Sequence, residues 1–172
     1  MIPHFPVLSR VLHWLMAVLI LAMLFVGVAM VSSLSDYHRL VAIHKPIGIL
    51  ILVLAAIRLV NRLVNPPPPL PTGMPVSLRV VAAASHWLLY GLMFAQPIVG
   101  WAMLSAAGYP VALIGTFHLP PILPHDAALY ALMRPLHTVL AFALFATFLL
   151  HLAAALTHAF VFRDDVFRSM TH

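Results

Sequence analysis

His137 and His151 stand 14 residues apart in a run from Leu136 to His158 whose only other polar side chains are Thr138, Thr147, Thr157 and His158. At 100° per residue that spacing brings the two imidazoles to within about 40° of one helix face, about 21 Å apart along the axis. An imidazole among hydrocarbon is costly, and its bland use is a hydrogen bond to a neighbouring helix. Its chemical uses are ligation of a metal or haem iron and the carriage of a proton. Two imidazoles stacked so far apart suit two layers of cofactor. His158 continues the same face seven residues beyond His151.

Iron held between two histidines needs imidazoles from different helices at equal depth, approaching from opposite sides. His44, at the start of a second apolar segment, is level with His137. His13 and His86 enter two further segments near the depth of His151, and spacing alone does not choose between them. Gly27 and Gly100 lie 14 residues beyond His13 and His86, so two helices lack a side chain at the His44–His137 layer, where a macrocycle could rest. Small residues also let membrane helices approach without any cofactor. A single zinc or copper site is a poor use of these histidines, because ligands must converge to about 2 Å from one ion. The chain has no cysteine, which rules out disulfides, thiolate clusters and a covalent CxxCH haem; any haem is held non-covalently.

The elements that must position these residues follow from composition. Of 172 residues 63% are hydrophobic and 8% charged, and mean hydropathy is far above that of a soluble domain. Four segments, near 10–32, 41–63, 79–106 and 136–162, are long and apolar enough to cross a hydrocarbon core of about 30 Å. Helices are the expected form because lipid demands an internally satisfied backbone, and the alternating strands of a barrel are absent. The expected fold is an all-α membrane protein, a four-helix transmembrane bundle forming a single domain over residues 1–172. The first apolar run follows Arg10 but is longer than the core of a cleaved signal peptide, so it is read as a retained helix.

The formal charge of +5 comes from basic residues scattered at segment ends, a pattern of topology signals and not a nucleic-acid surface. In a four-span arrangement Arg10, Arg58, Arg62, Arg79, Arg163 and Arg168 fall on one side, and Arg39, Lys45 and Arg134 on the other. The positive-inside bias makes the first side cytoplasmic, with both termini there. The proline run in VNPPPPLPTGMPVS between segments two and three reads as a stiff spacer. The connection from about Ala107 to Pro135 is too long for a tight hairpin and reads as an ordered cap. Pro97 is expected to kink the third helix or free a carbonyl.

The motifs LHW at 12–14, HKPIGILILVLAAIRLVNRLVNPPPPLP at 44–71, HWLLYGLMFAQPIVGW at 86–101, and His137 followed by LHLAAALTHAFVFRDD at 150–165 resemble the bacterial cytochrome b561 family. These are four-helix dihaem membrane proteins that include superoxide oxidase, and the resemblance covers nearly the whole chain. It implies two haem b groups, with His13 paired to His151 and His44 to His137, and leaves His86 as a neighbour of the inner haem or of a quinone site. It implies an inner-membrane oxidoreductase that takes electrons from superoxide on the periplasmic side and reduces ubiquinone. The alternative is an electron-carrying subunit working between quinone and a partner redox protein.

Arg39, Lys45 and Arg134, with His118 and His125 above them and only Asp36 and Asp126 as acids, would steer a small anion to the outer mouth. The plain reading of those charges is that they flank helix ends. Lys45 adjoins His44, and Arg134 precedes His137 by three residues. At the inner end His158 is expected to supply a proton to a quinone, whose reduction consumes protons as well as electrons. Arg58, 14 residues beyond His44, is expected on the cofactor side, against a haem propionate or a quinone, unless it is an ordinary anchor. Ser9, Arg10 and Arg79 are further candidates for the quinone pocket.

Overall fold

The structure is a computed structural model and describes residues 4–69, 73–114 and 117–171. Four long helices run up and down: α1 (Val7–Ser32), α2 (Tyr37–Val64), α3 (Val76–Ala106) and α4 (Ala127–Thr157), the last prolonged by a π-helical turn, His158–Phe162. A short α5 (Asp165–Arg168) ends the chain, and a two-stranded antiparallel hairpin, β1 (Val111–Ile114) with β2 (Phe117–Leu119), joins α3 to α4. All four long helices meet the length and composition needed to span a membrane. The termini therefore share one pole, and the hairpin lies at the other.

Each of α1, α2 and α3 begins three or four residues before the expected boundary, and α4 begins nine residues before it. The expectation that the chain from 107 to 135 is all cap is corrected accordingly. Asp126 caps α4 by accepting from the amides of Ala128 and Leu129, and the helix formers that follow carry the backbone through Pro135 despite its missing N–H. Helix α3 likewise continues through Pro97, leaving the carbonyl of Met93 without a bond from that position. At the other end α3 stops in a Schellman motif. Gly108, at φ 72°, donates to Ser105 O, and Tyr109 donates to Leu104 O.

The hairpin is an element that hydrophobic patterning does not announce. Trp101 Nε1 donates to Pro120 O at 3.0 Å and the amide of Ile122 donates to Ser105 Oγ at 3.1 Å. These bonds tie the hairpin to α3, and β1 packs on α2 and α3 with Val111 buried. It therefore covers one mouth of the bundle. The proline spacer is described as far as residue 69; residues 70–72 lie outside the described residues.

The core is a plug at mid-height: Met16, Ile20 and Met23 from α1, Ile51 and Ala55 from α2, Tyr90 and Met93 from α3, and Leu144 from α4. Leu144 is seven residues from both His137 and His151, so the plug separates the two histidine layers. The outer face is apolar and open, with Phe25 65% and Phe142 70% exposed, as lipid requires. Close helix packing is confined to α1–α2, α2–α3 and α3–α4. Helices α1 and α4 face each other without packing along their lengths. At the terminal pole the seam between them is bridged by the segment after α5, where Trp14 Nε1 donates to Met170 O at 3.1 Å and Phe5 N to Ser169 O at 3.1 Å.

Candidate functional site

At the hairpin pole His44 of α2 faces His137 of α4 with ring centroids 6.2 Å apart and planes at 71°. At the terminal pole His13 of α1 faces His151 of α4, also at 6.2 Å, with planes at 57°. Two imidazoles bound on opposite sides of one metal ion, with nitrogens about 2 Å from it, put their centroids about 6 Å apart once the ring radius is added. Both pairs match that span. His86 of α3 approaches His151 edge-on at 5.4 Å, shorter than trans ligation would give. Among the described residues no group of three or more histidines and acids converges on one point.

Around the pair at the hairpin pole, buried polar atoms lack a partner. His44 Nδ1 and His137 Nδ1 are buried without a hydrogen bond, as is Gln96 Oε1. Gln96 Nε2 lies 3.3 Å from His137 Nε2. An added Cβ at Gly100 would stand 3.0 Å from His137 Cε1 and 3.3 Å from its Nδ1, so the ring occupies the space that the glycine leaves. Gly27, expected in the same layer, faces open space, with nothing within 4 Å of an added Cβ. Half-buried imidazoles whose Nδ1 atoms lack a partner, one of them against a glycine, are suited to ligating haem iron.

The terminal pole is more polar. Arg58 Nη2 lies 2.7 Å from His13 Nδ1, and its guanidinium sits 5.8 Å from the centroid of the buried Tyr90 ring. Arg62, one turn on, lies over Tyr90 at 5.8 Å and over Trp87 at 5.9 Å. Arg58 is thus on the histidine side of α2, as its spacing from His44 predicts. Ser9 accepts from Asn61 Nδ2 at 2.7 Å, and Arg10 is half-buried with its Nε unbonded.

His158 begins the π-helical turn, which widens the helix just where the regular face would have continued. Its Nδ1 lies 2.6 Å from Asp164 Oδ2. The turn closes at Arg163, in the left-handed region at φ 53°, and Asp164 also caps α5 by accepting from Val166 N. The chain thus spends a strained residue to bring a carboxylate back onto His158. At the hairpin pole Lys45 is half-buried beside His44, while Arg134 and Arg39 are exposed. Neither Lys45 nor Arg134 has a side-chain ion pair among the described residues.

Gln96 and Asp164 are the contacts that sequence reading misses. Gln96 could have been found, since it is four residues from Gly100 and shares its helix face. Asp164 could not, because its approach depends on the wide turn.

A sequence model of the family described as prokaryotic cytochrome b561 matches residues 4–172. Cytochrome b561 homolog 2 of Escherichia coli K12 is 36% identical over 171 residues, covering 97% of this chain and 90% of the relative. The probable superoxide oxidase CybB of Yersinia pestis is 32% identical over 167 residues, covering 92% and 90%. With its four spanning helices, the chain belongs to the prokaryotic cytochrome b561 family, whose members are haem b-binding electron-transfer proteins of the membrane.

Proposed function

We propose that the chain holds two haem b groups, one between His44 and His137 and one between His13 and His151, and carries electrons from superoxide to ubiquinone. The observation that carries this reading is the equal 6.2 Å separation of the two pairs, with α4 lending one member to each. The shorter 5.4 Å contact of His86 with His151, against 6.2 Å for His13, favours His13 as the second ligand of the inner haem. Superoxide as the donor is supported by the similarity to a probable superoxide oxidase.

Bound haem supplies a one-electron carrier at each depth, and the chain's residues do the rest. Lys45 and Arg134 raise the local concentration of an anion at the hairpin mouth. The mid-height plug keeps water from the space between the layers. At the terminal pole Asp164 accepts the Nδ1–H of His158, which turns the other ring nitrogen outward to exchange a proton with a quinone oxygen. Two superoxide ions give two electrons and two oxygen molecules; one quinone takes both electrons and two protons. The distribution of arginine supports an inner-membrane orientation with both termini cytoplasmic.

Rapid mixing of the purified protein with superoxide in the presence of a short-chain ubiquinone tests this. Expected are reduced haem bands, quinol, and oxygen release at about two molecules per quinol. Haems that stay oxidised under superoxide, yet are reduced by a dehydrogenase, would make the chain an electron-carrying subunit for a partner protein instead.

A further inference from the structure

We propose that Arg58 and Arg62 bind a carboxylate of the inner haem. The proposal rests on the dihaem reading. Arg58 Nη2 lies 2.7 Å from His13 Nδ1, so its guanidinium stands beside the imidazole that would hold the inner haem.

A half-buried guanidinium in a spanning segment needs an anionic acceptor, and among the described residues no carboxylate pairs with Arg58. Of the four acids, Asp36 and Asp126 are at the hairpin pole, Asp164 is held by His158, and Asp165 is paired with Arg168. Arg62 adds a second positive charge one turn away, also without a carboxylate among the described residues. Both guanidiniums are half-buried over the same Tyr90 ring, whereas arginines that only mark the cytoplasmic side extend their charge into the headgroups. Two cations held together on an aromatic platform form a cradle for an anionic oxygen group. Haem b carries two propionates, and the ring that His13 and His151 would hold lies next to this cradle. A lipid phosphate has the same chemistry and is the competing source.

The cofactor-free full chain, in nanodiscs of phosphatidylcholine alone or with added phosphatidylglycerol, is loaded with haem b or with its dimethyl ester, and uptake, loss and midpoint potentials are followed. With haem b, Arg62→Gln should speed loss of the inner haem by roughly tenfold or more, the worth of one charge-assisted bond, and lower its potential. Arg58→Leu should likewise speed loss of the inner haem, because one of the two anchors is gone. With the dimethyl ester the unmutated chain should already lose the inner haem quickly, and Arg62→Gln should add nothing. Equal effects of Arg62→Gln on haem and ester, or none on either, overturn the assignment; an effect that follows phosphatidylglycerol gives the cradle to lipid and overturns it too. Haem stoichiometry of the unmutated chain separates the premises. Fewer than two haems refutes the dihaem reading, whereas two haems with an indifferent Arg62→Gln refutes only the arginine cradle.

Discussion

Replacing Gly100 tests the outer ligand assignment through a contact that only the three-dimensional structure reveals. The new Cβ of Gly100→Ala would lie 3.0 Å from His137 Cε1, while carbon atoms rest comfortably at about 3.5–4.0 Å. The ring must therefore retreat by about 0.5 Å, more than twice the tolerance of about 0.2 Å on a metal–ligand distance. Overpacking costs about 1–3 kcal/mol, but removing a mid-helix glycine returns about 1 kcal/mol. The fold thus survives, and the disturbance falls on one cofactor. Gly100→Ala should keep both haems with the outer one altered in spectrum and potential, and the bulkier Gly100→Val should keep only the inner haem. Gly91→Ala, on the same helix with nothing within 4 Å of its Cβ, is the control and should leave both unchanged. Haem-to-protein ratio and redox titration read the result. Two haems with unaltered bands and potentials in Gly100→Val would refute His137 as a ligand.

His13→Ala should abolish the inner haem, whereas His86→Ala should retain two; the reverse pattern in haem stoichiometry would exchange their roles. Charge reversal at Lys45 and Arg134 together should slow reduction by superoxide by roughly tenfold at low salt and flatten its salt dependence. A rate unchanged in both respects would remove steering from the mechanism. Asp164→Asn should slow quinone reduction by about tenfold without changing how fast superoxide reduces the haems, and Asp164→Glu should restore most of it. An unaffected quinone rate would free His158 of its assigned proton task.

The helices and the depth pairing of the histidines were legible because lipid leaves few solutions: long apolar runs must be helices, and polar residues within them must find each other. The start of α4 was not legible, because Pro135 reads as a stop and the Asp126 cap acts nine residues earlier. The hairpin was hidden because its strands are short and the segment after them is tied to α3 by single bonds, Trp101 Nε1 to Pro120 O and Ile122 N to Ser105 Oγ. His13 and His86 are indistinguishable by spacing, since both reach His151; in the structure their ring separations from it differ, 6.2 Å for His13 and 5.4 Å for His86. The His158–Asp164 contact depends on a π turn, for which helical periodicity has no signature.

That α4 contributes one histidine to each pair has a consequence for biogenesis. A chain emerging from the ribosome with α1, α2 and α3 already inserted holds His13, His44 and His86, but neither His137 nor His151. Neither facing pair of imidazoles exists until α4 enters the bilayer, and the bonds from Trp14 to Met170 and from Phe5 to Ser169 form later still. On the dihaem reading, capture of either haem waits for α4.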